Sequence, residues 1–216
     1  MNTYRVSALA FGLVRMWRGW SVIVPVVTVN AALQALLIWP NPDVDQWLAV
    51  IGLALLSAVA FMLAYGLVAA TALKLTEGSV TWRQAMAVLR TNGVRYAIWA
   101  LILLIVTMAG LAIYAVPGFV ILAITPFVLL AALDGRPNPV AANFHAIGQR
   151  FWRWLVVVII TGAVIGIGSF AVALTNFFVR GLAASFAAWL VAGLVLAWFT
   201  TTWALIYRST SVADRG

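Results

Sequence analysis

Long apolar runs separated by short polar segments dominate the chain. A helix needs about 20 apolar residues to cross a hydrocarbon core. On that criterion the runs predict spans at about 20–39, 47–73, 94–114, 117–133, 154–178 and 182–207. Prolines at 40, 42 and 117 mark turns that a helix does not continue through. The pattern predicts an all-α integral membrane protein with six transmembrane helices arranged as three hairpins.

Three shorter segments, at about 3–18, 81–91 and 139–151, have the alternating apolar and polar faces of a helix but are too short or too polar to span. Thr81 and Gln84 have the spacing of a capping box for the second, and Asn92-Gly93 predicts its end. We expect all three to be interfacial helices at the cytoplasmic membrane surface. Residues 1–216 are then a single six-span domain.

The third short segment has a predicted apolar face and a predicted polar face. Its four large apolar residues recur at helical spacing, whereas the polar residues fall on the other side. The apolar set is Val140, Phe144, Ile147 and Phe151, and the polar set is Asn143, Gln149 and Arg150. The sequence therefore predicts that Asn143 is directed away from the apolar surroundings.

Composition excludes the soluble classes of protein. The chain is 65% hydrophobic and only 8% charged, with a mean hydropathy of +1.09. A soluble domain is nearer half apolar and a quarter charged. Cysteine is absent, which excludes disulfides and thiolate metal sites.

The net charge of +8 comes from basic residues that flank the apolar runs. Basic residues in that position contact anionic lipid headgroups, so membrane lipids are expected partners and nucleic acid is not. The predicted headgroup contacts are Arg15, Arg18, Arg83, Arg90, Arg150 and Arg153.

The same basic residues predict the orientation of the chain. With six spans, twelve of the 13 Lys and Arg residues fall on one side, and only Arg180 falls on the other. The positive-inside rule then predicts that both termini are cytoplasmic. The first apolar run could instead be a cleaved signal peptide. Its length, and the lack of a clear cleavage motif after it, favour an uncleaved span.

Polar and proline residues within the spans are the first candidates for function. Asn30 and Gln34 lie four residues apart, on one face of the first span. They could line a polar cavity, but an interhelical hydrogen bond is the favoured interpretation, because transporters usually place an ionisable group in this position. Pro25 and Pro126 fall within spans, where a kink is favoured over a functional break.

A second candidate is a surface of small residues in the fifth span. Gly162, Gly166 and Ser169 share one helix face and allow another helix to approach closely. The sequence leaves open whether that helix belongs to the same chain or to another subunit.

The side chains that enzymes use are scarce. The single histidine, His145, has no second histidine for a metal cluster, and the five acids fall in predicted loops or in the tail. No nucleophile motif, phosphate-binding loop or zinc motif occurs. We expect no enzymatic activity, no catalytic residues, no metal site and no cofactor.

A family resemblance rests on three motifs in order: Pro117-Gly118, then Asp134-Gly135, then Arg150-Phe151-Trp152 after a short helix. This order is similar to that of the six-span bacterial membrane proteins of the YciC family and of the membrane domain fused to some glycerophosphodiester phosphodiesterases. The likeness covers about residues 78–160. Asn143-Phe144 stands near the place where those proteins carry Ser-Trp, so the match is partial. It implies a six-helix membrane domain without catalytic residues.

Two functional hypotheses follow. The first is a non-enzymatic accessory or scaffold subunit of a cell-envelope membrane complex, with other membrane-protein subunits as partners. A lipid-transport assembly of the Mce type is a host suggested by analogy alone. The alternative is a small transporter or lipid-handling protein with a polar cavity near Asn30 and Gln34.

Overall fold

The computed structural model of the chain describes residues 4–38, 46–114, 116–178 and 181–211, and shows helices and no strand among them. Within the helices it describes no side chains for 4–7, 114, 169–178 and 211. The helices are α1 (Tyr4–Arg18), α2 (Trp20–Ile38), α3 (Trp47–Leu75), α4 (Trp82–Tyr114), α5 (Val116–Ile124), α6 (Val128–Leu133), α7 (Pro139–Gln149), α8 (Phe151–Phe178) and α9 (Leu182–Ser211). The turn at Pro40 and Pro42 and the acids Asp43 and Asp45 lie outside the described residues.

Five of the described helices are long and apolar enough to cross a membrane. They lie at Trp20–Ile38, Trp47–Leu75, Trp82–Ile113, Phe151–Gly168 and Leu182–Thr210. Their length and composition, with the all-helical fold, confirm the prediction of a multi-pass α-helical membrane protein.

The third predicted span does not begin where the sequence placed it. Segment 81–91 and span 94–114 form one continuous helix, α4, of 33 residues. The capping box is present, since Gln84 Oε1 accepts from the Thr81 amide at 2.9 Å and the Gln84 amide donates to Thr81 Oγ1 at 3.4 Å. Asn92 does not end the helix, because its Nδ2 donates instead to the Leu133 carbonyl at 2.8 Å. The prediction of a separate interfacial helix here was wrong.

The fourth predicted span, 117–133, is interrupted at residues 125–127 and forms α5 and α6. Pro126 has no amide hydrogen for the helical ladder, and the chain breaks there rather than kinking as predicted. Pro25, in contrast, lies inside the continuous helix α2.

The two halves of the interrupted segment pack antiparallel to α4. Gly118 touches Gly110 near one end, and the Leu133 carbonyl meets Asn92 near the other. Residues 92 and 110 are about 27 Å apart along α4 at 1.5 Å per residue. The interrupted segment therefore extends over most of the thickness of a hydrocarbon core.

Helix α1 is not the peripheral interfacial helix that the sequence predicted. It packs along α9, and residues later in α1 meet residues later in α9, so the two helices run in the same direction. The Leu9 carbonyl accepts from Trp198 Nε1 at 2.8 Å, and Gly12 lies against Thr202. The packed face of α1 consists of Leu9, Gly12 and Met16, whereas Leu13 and Trp17 are exposed.

Helix α7 is present, but its buried side differs from the predicted one. Asn143, expected on the polar face, is fully buried, while Phe144 and Phe151 are about half exposed. Only Ile147 of the predicted apolar face is buried. The reason is that α7 packs against α6 and not only against lipid.

Packing among the helices is concentrated at one end of the bundle, which we call the packed end. It is formed by the last ten residues of α3 (66–75), by α6 and by residues 197–210 of α9, where most buried side chains lie. The first ten residues of α3 (47–56) and residues 182–196 of α9 contain no buried residue.

Helix α8 diverges most from the rest of the bundle. Its start is attached to the packed end through Trp154 and the buried Val157. Its four residues 165–168 are all exposed, and four successive residues of a helix cover its whole circumference. In the single chain, this part of α8 therefore presents an apolar surface on every side.

Candidate functional site: an arginine-lined groove

Asn30 and Gln34 form an interhelical hydrogen-bond network and do not line an open polar path. Gln34 is fully buried; its Nε2 donates to the Ser57 carbonyl at 3.0 Å and lies 3.4 Å from Asn30 Oδ1. Ser57 Oγ donates back to Gln34 Oε1 at 2.5 Å. This network joins α2 to α3, which is the contact that the sequence analysis favoured.

The cavity next to Asn30 is small. Its volume is about 20 Å³, and Tyr65, Phe61 and Gly193 contribute to its lining. That volume accommodates about one water molecule. A polar cavity for a solute near Asn30 and Gln34 therefore has no support from the packing of the described residues.

The predicted glycine surface of α8 makes no contact within the described part of the chain. A Cβ atom added at Gly162 or at Gly166 would meet nothing within 4 Å, and both residues are exposed. The side chain of Ser169 lies outside the described residues. If this surface packs against a helix, that helix is none of those that the structure describes in this chain.

Other glycines allow close approach of helices inside the chain. Gly12 faces Thr202, and a Cβ built on Gly193 would lie 2.5 Å from Val27 Cγ1, so α9 packs tightly on α1 and α2. Gly110 and Gly118 bring the backbones of α4 and α5 together, with 2.8 Å from a Cβ built on Gly110 to the Gly118 amide nitrogen. Sequence spacing did not predict these contacts, since Gly12 and Gly193 meet partners far away in the chain and Gly110 meets a residue of the next helix.

The six predicted headgroup arginines separate into two groups. Arg18, Arg83 and Arg90 are exposed at the packed end, whereas Arg15, Arg150 and Arg153 are partly buried. Arg15 Nη1 donates to the Leu75 carbonyl at 2.5 Å, at the end of α3. Arg150 lies at the junction of α7 and α8.

Arg15 and Arg153 line one groove between α1, α8 and α9. The groove has a volume of about 280 Å³, and its other walls are Ala8, Phe11, Leu205, Ile206 and Ser209. Two arginine side chains therefore line a depression whose remaining walls are mostly apolar. Sequence analysis named both arginines but did not place them together.

A second polar set satisfies the backbone where α5 ends and α6 begins. Asn143 Nδ2 donates to the Ile124 carbonyl at 2.7 Å, and Asn143 Oδ1 accepts from the Phe127 amide at 2.9 Å. Trp154 Nε1 donates to the Ala123 carbonyl at 3.0 Å, and Thr125 Oγ1 donates to the Ile121 carbonyl at 2.7 Å. The side chains of Asn143 and Trp154 replace ladder bonds lost near Pro126, which makes an interruption inside an apolar segment tolerable.

An ion-pair network joins three helix ends at the packed end. Arg208, at the end of α9, contacts Asp134 at 2.8 Å and Glu77 at 3.1 Å. Asp134 also accepts from Tyr207, and Arg136 lies 3.5 Å away. The hydrogen bond of Arg136 to Tyr207, with the nearby charge of Asp134, raises the pKa of that guanidinium above its ordinary value. The network crosslinks the ends of α3, α6 and α9.

These positions show no catalytic arrangement among the described residues. Glu77 and Asp134 pair with basic residues, and no group of three metal-binding side chains occurs in the described ranges. No protein-family model, curated protein or solved structure matches the chain.

Proposed function

We propose that the chain is a non-enzymatic accessory or scaffold subunit of a bacterial inner-membrane complex. The observation that carries the proposal is the exposure of four successive residues of α8, 165–168. An apolar stretch of helix that is exposed in the single chain is available to contact lipid or another membrane protein. A lipid-transport complex of the Mce type is the host that we would test first, by the analogy already given.

The surface that we propose for association is the Gly162–Gly166 face of α8. Lipid tails are as apolar as leucine, so helices associate within a membrane through close packing and hydrogen bonds rather than through the hydrophobic effect. Glycines four residues apart, with nothing within 4 Å of either added Cβ, leave room for such packing. The transporter alternative has less support, because the cavity beside Asn30 holds about one water.

Co-purification in mild detergent tests the proposal. The wild-type chain is expected to retain a larger membrane-protein subunit at fixed stoichiometry, and Gly166→Leu is expected to lose it, because the new side chain separates the two helices. Gly168→Leu is the matched control, because Gly168 is equally open but lies on another face of α8. A wild-type chain that purifies alone, or loss of the subunit in both variants, would contradict the proposal.

We further propose six membrane crossings, with α5 and α6 together as the interrupted fourth and with both termini in the cytoplasm. The contacts of α5 and α6 with both ends of the 92–110 segment of α4 support the extra crossing. The excess of basic residues on one side supports the orientation.

Cysteine labelling tests this topology, and the absence of native cysteine makes it straightforward. In intact cells, an impermeant reagent is expected to label Asp43→Cys but neither Ser79→Cys nor Pro137→Cys. Both of the latter should react after permeabilisation, since Ser79 and Pro137 are exposed. Labelling of Pro137→Cys in intact cells would show that α5 and α6 do not cross the membrane.

A further inference from the structure

The groove between α1, α8 and α9 is lined by basic residues, and no acidic residue lines it within the part of the chain that the structure describes. Arg15 and Arg153 line it, and its remaining polar residue is Ser209. Within the described ranges the carboxylates are Glu77 and Asp134, and both pair elsewhere, with Lys74, Arg136 and Arg208. Two partly buried arginines that line one depression give it a positive potential, which favours the binding of an anion there.

The start of α8 adds to this positive field. The helix begins at Phe151, two residues before Arg153, and has no acidic residue in its first turn. The first turn of a helix carries partial positive charge and amide hydrogens without partners in the ladder. Anions bind well at such helix starts. Here the start of α8 lies at the groove that already holds Arg15.

The other walls of the groove suit a hydrocarbon chain. Ala8, Phe11, Leu205 and Ile206 are apolar. Phe11 also belongs to the exposed apolar face of α1, with Leu13, Val14 and Trp17. The groove therefore opens beside a surface that contacts lipid in the membrane. A charged recess with apolar walls and a lipid-facing rim matches an amphipathic ligand better than a small soluble anion.

We propose that this groove binds one anionic phospholipid, with its phosphate between Arg15 and Arg153 and the start of an acyl chain against Leu205 and Ile206. The proposal goes beyond a role in association, because it requires the membrane but no partner subunit. Arg18, Arg83 and Arg90 are exposed and make at most diffuse contacts with headgroups. The groove is distinct in holding two arginines together.

Native mass spectrometry of the full chain in mild detergent measures this binding. The wild type is expected to retain one phosphatidylglycerol in preference to phosphatidylcholine. The double variant Arg15→Gln/Arg153→Gln is expected to bind phosphatidylglycerol roughly 30-fold more weakly, the effect of removing two basic residues near a headgroup. Arg83→Gln/Arg90→Gln removes the same charge from the exposed start of α4 and should leave the affinity unchanged.

Two further variants separate binding from folding. Because Arg15 also donates a hydrogen bond to the Leu75 carbonyl, changing it could disturb the fold. The single change Arg153→Gln keeps that bond and is expected to bind phosphatidylglycerol roughly fivefold more weakly than the wild type. Ala8→Trp fills the groove and keeps both charges, and it should displace the lipid as well. Equal lipid retention in the wild type, in Arg153→Gln and in Ala8→Trp would overturn the proposal.

A thermal-stability measurement with inorganic phosphate separates the two sources of the anion. Phosphatidylglycerol is expected to raise the unfolding temperature of the wild type, and millimolar phosphate is not. If phosphate stabilises the wild type as much as the lipid does, and Arg153→Gln removes that effect, the groove takes a soluble anion and the lipid proposal is wrong.

Discussion

Replacing Asn143 with leucine is expected to lower the free energy of unfolding by about 2–5 kcal/mol, the largest effect that we predict for a single polar side chain. Asn143 is fully buried and bonds to the Ile124 carbonyl and the Phe127 amide. Leucine fills a similar volume but leaves both backbone groups without partners. A buried unsatisfied group costs about 1–3 kcal/mol.

Unfolding in detergent mixtures with increasing sodium dodecyl sulfate, followed by tryptophan fluorescence, measures this loss. Asn138→Ala is the control, because Asn138 belongs to the same helix but is exposed and caps its start by accepting from the Ala141 amide at 3.0 Å. A helix cap contributes about 1 kcal/mol. If the two variants lose the same stability, Asn143 is not what makes the interruption tolerable.

The second large effect is expected from Gly12→Leu. A Cβ atom at this position would overlap the side chain of Thr202 and lie 3.1 Å from its Cα, so α1 would have to move away from α9. Overpacking of this kind costs about 1–3 kcal/mol, and more where the backbone must shift. The same unfolding measurement should therefore show a clear loss.

Gly166→Leu is the matched comparison for Gly12→Leu. Both replace a helical glycine by leucine, but an added Cβ at Gly166 meets nothing within 4 Å. The stability of the isolated chain should change by no more than about 0.5 kcal/mol. Equal destabilisation by the two substitutions would mean that α8 packs against its own chain and would remove the basis for the proposed association surface.

The break between α5 and α6 at Pro126 could be predicted from the sequence only in part. Pro126 stands out in an apolar run, so the sequence marks a point of weakness. Whether a proline kinks a helix or ends it depends on partners for the freed backbone groups, and these come from Asn143 on α7 and Trp154 on α8. Helical periodicity placed Asn143 on a polar face, because it assumed that α7 lies between water and lipid. In the fold, its neighbour is α6.

The glycines at which helices pack could likewise not be predicted from spacing alone. Small residues at a spacing of four predicted packing at Gly162 and Gly166, yet the helices of this chain pack at Gly12, Gly110, Gly118 and Gly193. The spacing of glycines within one helix shows that another helix can approach closely. It does not identify that helix, because the contact also depends on the opposing residue, such as Thr202 or Val27.

Length, hydropathy and helical period are local properties, so the sequence was enough to predict a multi-pass membrane protein, the bounds of α2, α3, α8 and α9 within a few residues, and the shared face of Asn30 and Gln34. It also named Arg15 and Arg153. The packing of α1 along α9, the bonds of Asn143 to the ends of α5 and α6, and the groove that these two arginines line became visible in the tertiary structure alone. The physical reason is that each of these features depends on which helices become neighbours, and residues 15 and 153 are brought together by the packing of helices far apart in the chain.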